Sequence, residues 1–376
     1  MSAVLPSMPT PPLAPQTRLP WWQRVLSPLV SPPVFDFWVR RLHPTWAWSR
    51  TLARIVERRV EARDAVTLVL QPNRHFRGFR PGQHLSVTVE VDGVRLTRSY
   101  SPTGIPRRDR RISLTVKRIV GGRVSTHLVE RARVGDVVEL GPAYGALCLP
   151  EASSPEAPVL LLAAGSGITP LMSLVRALAA RDMPVPVTLL YWARTRDELC
   201  FTRELRELAA RFPALCVRFL LTRQAPLTED EGAGRIDADT LARWVPDLDA
   251  QQVYACGPSE FVAQAHALTA ETARSVQVEA FTPPAVDGDV TGSVRVTLSA
   301  SGRVLELPRN QSLLVSLEAQ GLQPAHGCRM GICNTCACGK RSGTTQNLLT
   351  HDLQDEAEQA LRICVSAPRS DLVLDL

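Results

Sequence analysis

The sequence predicts a three-domain chain: an antiparallel β-barrel, a doubly wound α/β domain with a parallel sheet, and a small α+β domain. Three observations predict it. Residues 51–150 hold short runs of alternating polar and apolar residues broken by glycine turns, the pattern of a small antiparallel barrel. From 157 to 282, apolar runs of strand length alternate with helical stretches, which implies parallel strands joined by helices. From 290 to 376, strands come first, then four crowded cysteines, a short helix and a last strand.

The bulk numbers agree. A chain of 376 residues suits two to three domains. The net charge of +6 is spread along the chain, too little for nucleic acid but enough to steer an acidic partner or an anionic surface. No apolar run approaches the roughly 18 residues of a membrane span. The start lacks the basic and apolar segments of a signal peptide, so the expected compartment is the cytoplasm. There, clustered cysteines serve metal or redox chemistry more often than disulfides.

Residues 1–50 form an arm rich in proline and tryptophan, expected to be disordered from Met1 to about Pro20. Trp21, Trp22, Phe35, Phe37, Trp38, Trp46 and Trp48 follow among Arg40, Arg41 and Pro44, and 34–42 suits one short amphipathic helix. Such an arm either packs on the body of the protein or offers an aromatic, basic surface to a membrane-bound partner.

In the barrel, strands are expected at 65–70, 84–90 and 111–117, with turns such as Pro81-Gly82 and Gly121-Gly122. A further strand reads Leu96-Thr-Arg98-Ser-Tyr100-Ser101. Arginine offers a planar fork to phosphate, tyrosine stacks along a flavin, and serine donates a hydrogen bond to its ring. Lys117, Gly122, Ser125 and Thr126 follow where a strand passes through a glycine turn into a helix. The N–H groups at that helix start suit a pyrophosphate.

The α/β domain is expected to carry strands at 158–164, 187–192, 215–221, 252–255 and 276–281, between linkers at 151–157 and 282–292. Its first strand ends in Gly165-Ser166-Gly167-Ile-Thr169-Pro170. The glycines let backbone approach a pyrophosphate, and proline suits a first helical turn. A later strand ends in Cys256-Gly257-Pro258, at the ligand-binding end of such a sheet. A lone cysteine is ordinarily a packing residue, but its glycine–proline neighbours mark Cys256 as a candidate catalytic group beside Ser101. Arg194 and Arg196 end the second strand. Arginine there accommodates the 2′-phosphate of NADPH, whereas an acidic residue favours NADH. NADPH is the expected donor and NADH the alternative; solvated loop charges are the plainer reading of both arginines.

Cys328-Arg-Met-Gly-Ile-Cys333-Asn-Thr-Cys336, with Cys364 downstream, has the C-x4-C-x2-C spacing of a plant-type [2Fe–2S] cluster with a distant fourth ligand. Structural zinc competes, although its sites usually pair two C-x2-C units and Cys364 stands alone. Cys338 is surplus and expected to be a buried small residue.

The loop from His326 to Cys336, with Leu361-Arg-Ile-Cys364, resembles plant-type ferredoxins. The R-x-Y-S strand, the glycine turn, the G-x-G-x-x-P turn and the C-G-P motif together resemble the ferredoxin–NADP⁺ reductase superfamily, over about residues 51–376. The resemblance implies FAD in the barrel (FMN in phthalate dioxygenase reductase-like members), Cys256 beside the nicotinamide, and Glu279 and Phe281 closing over the flavin. It implies electron flow from NAD(P)H through FAD and the cluster to an acceptor protein. Phe37-Trp-Val-Arg-Arg-Leu-His-Pro44-Thr-Trp46 resembles the lead-in of reductases that feed membrane acyl-CoA desaturases, which makes such a desaturase the expected acceptor. The alternative is a soluble aromatic-ring or phenylacetyl-CoA type oxygenase. A binding protein that kept the folds without turnover is disfavoured by the intact motifs.

Overall fold

The computed structural model describes residues 31–150, 157–281 and 290–376. The opening expected to be disordered, Trp21, Trp22 and nearly all of both linkers lie outside the described residues.

Helix α1 (Pro32–Leu42) starts on a proline, whose missing N–H is an orphan there anyway. It stops at His43, which precedes Pro44 and is extended at φ −150° and ψ 126°, as the residue before a proline prefers. One face is pinned to the body. Asp36 accepts the Trp48 N–H at 2.6 Å, and the Phe35 ring meets Trp48 edge-on with centroids 5.0 Å apart. The other face leaves Phe37 and Trp38 exposed, with the Arg41 guanidinium over both rings.

The barrel comprises β1 (Leu52–Ala62), β2 (Ala65–Pro72), β3 (His84–Val91), β4 (Val94–Tyr100) and β5 (Ile112–Lys117). A single turn, α2 (Arg123–Thr126), runs on as a wider helix to Arg131 and leads to β6 (Val137–Tyr144). The sheet order is β4-β3-β6-β1-β2-β5, with every pair antiparallel. A bridge between Pro102 and Leu114 draws the two edges together. Leu85, Val87, Val89 and Val91 alternate into the core. β1 carries charge at its outer positions, and its ladder with β2 is bulged twice.

The second domain runs β7 (Val159–Ala164), α3 (Ile168–Ala179), β8 (Val187–Ala193), α4 (Thr202–Arg211), β9 (Leu215–Leu221) and β10 (Glu231–Ala233). It continues with α5 (Ala238–Trp244), β11 (Gln252–Gly257), α6 (Ser259–Thr269) and β12 (Ser275–Ala280). The parallel order β10-β9-β8-β7-β11-β12 reverses direction between β7 and β11. All six residues of β7 are buried, as befits a strand covered on both faces.

The third domain comprises β13 (Ser293–Leu298), β14 (Val304–Pro308), α7 (Leu313–Ala319), β15 (Ala337–Ser342), β16 (Thr345–Asn347), β17 (Leu353–Gln354), β18 (Glu358–Arg362), β19 (Ser366–Pro368) and β20 (Leu372–Asp375). Its main sheet is β14-β13-β20-β15-β18. The short helix expected after the cysteines lies ahead of them, as α7. The stretch after them forms strands instead, and β18 pairs with β15. That pairing carries Cys364 back to the cysteine loop, so tertiary context overrides the helix propensity of Glu356-Ala-Glu-Gln-Ala-Leu361.

Barrel and α/β domain dock directly. The Gly82 N–H donates to Ser173 Oγ at 2.7 Å. Arg176 reaches the Thr103 carbonyl at 2.6 Å while its fork holds Glu204. Lys117 Nζ donates to Glu198 at 2.8 Å.

Candidate active site

The two docked domains enclose a cleft of about 640 Å³, within the range of small-molecule sites. Tyr100 and Ser101 line its barrel side. Burial pushes the Tyr100 phenol well above its ordinary value. Arg98 shares the Tyr100 face of β4 but is exposed outside this cleft, resting on the Thr97 carbonyl at 2.8 Å. Gly122 and Thr126 border a separate hollow of about 260 Å³. Ser125 is turned inward: its Oγ accepts the Ile119 N–H at 3.1 Å and donates to the Gly122 carbonyl at 3.2 Å. It shapes the glycine turn rather than facing the hollow. Lys117 lines the cleft at the domain seam, already paired with Glu198.

The cleft also contains a hydrogen-bond chain that sequence reasoning missed. Ser101 Oγ lies 2.8 Å from His84 Nδ1, and His84 Nε2 meets Glu279. With the carboxylate accepting at Nε2, a neutral ring would accept the serine hydroxyl at Nδ1. All three residues are buried. His84 sits on the face of β3 opposite the core positions 85, 87, 89 and 91, so the second domain buries it. No period within the barrel sequence could reveal that. Phe281 lines the cleft with its ring 5.8 Å from that of His84.

On the nucleotide side, the turns after β7 and β11 interlock at the point where the sheet reverses. A Cβ on Gly167 would stand 1.9 Å from the Cys256 carbonyl oxygen, so only glycine fits. Gly165 takes φ +54°. Gly165, Ser166, Thr169 and Pro258 line the cleft, and Thr169 Oγ1 donates to the Ser166 carbonyl at 2.9 Å. Pro170 is buried in the first turn of α3, and Gly257 is buried at the end of β11. Cys256 is fully buried behind this wall and does not line it. Burial pushes its thiol well up, with the charge of Glu279, its ladder partner, adding to the effect. Its backbone, not its sulfur, shapes the turn.

A second lobe of about 570 Å³ is lined by Trp192, Arg194, Arg223 and Arg235. The buried Trp192 Nε1–H has no acceptor among the described residues, as a site awaiting a polar ligand would leave it. Arg196 does not reach this lobe. Its fork grips Glu231 at 2.7 and 2.5 Å, because that buried carboxylate needs a cation. Arg223 and Arg235 follow other strands, so inspection of the β8 end alone could not find them.

The cysteine loop is built around sulfur. The N–H groups of Met330, Ile332 and Cys333 each approach Cys328 Sγ at 3.4 Å. Cys328 N–H donates to Cys333 Sγ, and Gly331 N–H to Cys364 Sγ, both at 3.2 Å. A Cβ on Gly327 would lie 2.8 Å from Cys333 Sγ. Cys328 neighbours Cys333 and Cys336 neighbours Cys364, and the neighbouring thiol holds Cys333 and Cys336 below the ordinary thiol value. Among the described residues, no three His, Cys, Asp or Glu side chains converge as a single ion would need. Cys338 is buried in the domain core and pushed up to about 12, mainly by burial.

Known proteins share these features. Residues 53–148 match the oxidoreductase FAD-binding domain, 161–267 the oxidoreductase NAD-binding domain, and 296–369 the 2Fe-2S iron-sulfur cluster binding domain. The chain is 32% identical to an NADPH oxidoreductase of Mycobacterium tuberculosis, over 97% of this chain and 96% of that one. It is 33% identical to the ferredoxin reductase component of a 3-ketosteroid-9-alpha-monooxygenase of the same organism, over 86% and 93%. Among solved structures it is similar to phthalate dioxygenase reductase, with a TM-score of 0.56 and 26% identity, covering 86% of this chain and 97% of that one. FAD, a [2Fe–2S] cluster and NAD(P)H are the cofactors these three domains take. The chain belongs to the ferredoxin reductase superfamily, as an NAD(P)H-dependent oxidoreductase ending in a plant-type [2Fe–2S] domain.

Proposed function

We propose that this protein is the cytoplasmic reductase component of an oxygenase system, drawing electrons from NADPH and delivering them to a soluble oxygenase partner. The observation that carries the proposal is that one cleft is walled by all three domains: Ser101 from the barrel, Gly165 from the nucleotide domain and Met330 from the cysteine loop. The domain bounds that go with it are 51–150, 157–282 and 290–376, after an arm at 1–50.

The membrane desaturase expected from the arm finds no support among the relatives named above. The monooxygenase reductase component and phthalate dioxygenase reductase named above both serve oxygenases, and neither is paired with a desaturase. The oxygenase alternative is therefore the better supported reading of the acceptor.

A bound flavin accepts a hydride from the nucleotide and releases electrons singly, and the cluster carries them one at a time. The chain's own residues position and protonate. Tyr100 and Phe281 supply aromatic walls for the flavin, with Gly122 and Thr126 at the turn that would hold its phosphates and Arg98 on the same barrel face. Gly165, Ser166 and Thr169 would cradle the nucleotide's pyrophosphate at the start of α3. Arg194, Arg223 and Arg235 would receive its 2′-phosphate. Ser101, His84 and Glu279 form a path along which a proton moves between the cleft and the carboxylate. Cys328, Cys333, Cys336 and Cys364 would hold the cluster.

The test is reconstitution with NADPH, the purified protein and candidate acceptors. Coupled hydroxylation by a soluble oxygenase supports the proposal. Turnover confined to a membrane desaturase overturns it.

A further inference from the structure

Met330 belongs to two sites at once. Its backbone N–H approaches Cys328 Sγ at 3.4 Å, and the residue lines the cleft beside Ser99, Tyr100 and Ser101. Among the described lining residues it is the one that comes from the third domain.

Its direction is fixed from both sides. Arg329, at φ +58°, forks onto Glu318 of α7 at 2.8 and 2.6 Å. Gly331, at φ +73°, gives its carbonyl to Arg362 at 2.6 Å, and a Cβ there would meet Val365 at 2.8 Å. The loop therefore has little room to swing Met330 away. On the barrel side, Tyr144 closes β6. Its hydroxyl donates to Ser99 and its ring centroid is 5.9 Å from that of His84. The Tyr144 phenol is pushed up to about 12, chiefly by burial.

We propose that Met330 is a positioning residue that locks the cysteine loop onto the flavin cleft, setting the approach of the cluster to the flavin and sealing that edge from water. An unbranched, polarizable thioether suits an irregular gap between two domains. The proposal rests on the electron-transfer function given above. A bound flavin would supply two electrons per hydride, which a bound cluster would accept and pass on one at a time.

The experiment compares the full-length holoprotein with Met330→Ala and Met330→Leu. After anaerobic mixing with NADPH, the ratio of the cluster-reduction rate to the flavin-reduction rate should fall severalfold in Met330→Ala. Flavin recovered in the filtrate after ultrafiltration should increase. Met330→Leu, which keeps the bulk, should restore both. The EPR signal of the dithionite-reduced cluster should be the same in all three. If Met330→Ala loses its cluster, Met330→Val replaces it in the comparison. A parent-like ratio and parent-like flavin retention in the truncated variant overturn the proposal, as does a Met330→Leu protein as slow as Met330→Ala. A parent protein whose cluster stays oxidised under NADPH would instead defeat the function proposed above.

Discussion

Nδ1 of His84 lies 2.8 Å from Ser101 Oγ, while the opposite ring nitrogen meets Glu279. A barrel histidine thus joins the serine of the cleft to a carboxylate of the second domain. Replacing Ser101 by Ala should slow flavin reduction by NADPH about a hundredfold or more, the scale of a lost proton-transfer group. His84→Ala should also slow it and lower stability. It strands two buried polar groups, each worth about 1–3 kcal/mol when left unpaired. Stopped-flow flavin reduction and thermal unfolding separate the two effects. Unchanged reduction in both variants would remove the chain from the chemistry.

Donor choice should follow the arginines of the second lobe. Replacing Arg223 and Arg235 together by Gln should raise the KM for NADPH about tenfold or more, since a hydrogen bond to a charged group contributes about 1.5–3 kcal/mol. The KM for NADH should change little. Arg196→Gln should leave the NADPH-to-NADH ratio of kcat/KM intact and lower the melting temperature, because buried Glu231 loses its nearer guanidinium and keeps only that of Arg206 at 3.8 Å. A collapse of that ratio in the Arg196 variant would return Arg196 to the site.

The three folds and the cysteine loop were legible in the sequence because they rest on local pattern. Alternation marks β3, a continuous apolar run marks β7, and the C-x4-C-x2-C spacing marks the loop. Of the features that escaped, one lies between domains and two within a single domain. His84 is buried by a neighbouring domain. Arg196 is diverted by Glu231, 35 positions later. The helix misplaced after the cysteines loses to the pairing of β18 with β15. Each depends on contacts distant in sequence.

The turn after β7 should tolerate no side chain at Gly167. Gly167→Ala puts a Cβ against the Cys256 carbonyl, a backbone clash that no rotamer relieves. Overpacking of this kind costs about 1–3 kcal/mol. Nucleotide binding should weaken together with stability, as measured by calorimetric titration and thermal unfolding. Gly165→Ala meets open space, so its cost should be the smaller one of holding a side chain at positive φ.

Cysteine replacements should sort cleanly. Cys328→Ser, Cys333→Ser, Cys336→Ser or Cys364→Ser should lose the cluster while flavin reduction continues. Cys338→Ser should keep iron and sulfide at about two each per chain. Iron and acid-labile sulfide analysis checks this, and loss of iron in Cys338→Ser alone would place that residue among the ligands.

The most direct test is an anaerobic titration of the full-length protein with NADPH, followed by visible absorption and EPR. The flavin should bleach, and the EPR signal of a reduced [2Fe–2S] cluster should appear in the parent and be missing in Cys333→Ser, whose flavin still bleaches. A parent protein that bleaches its flavin but stays EPR-silent, or that contains zinc and no sulfide, would contradict electron transfer from NADPH to a cluster within this chain.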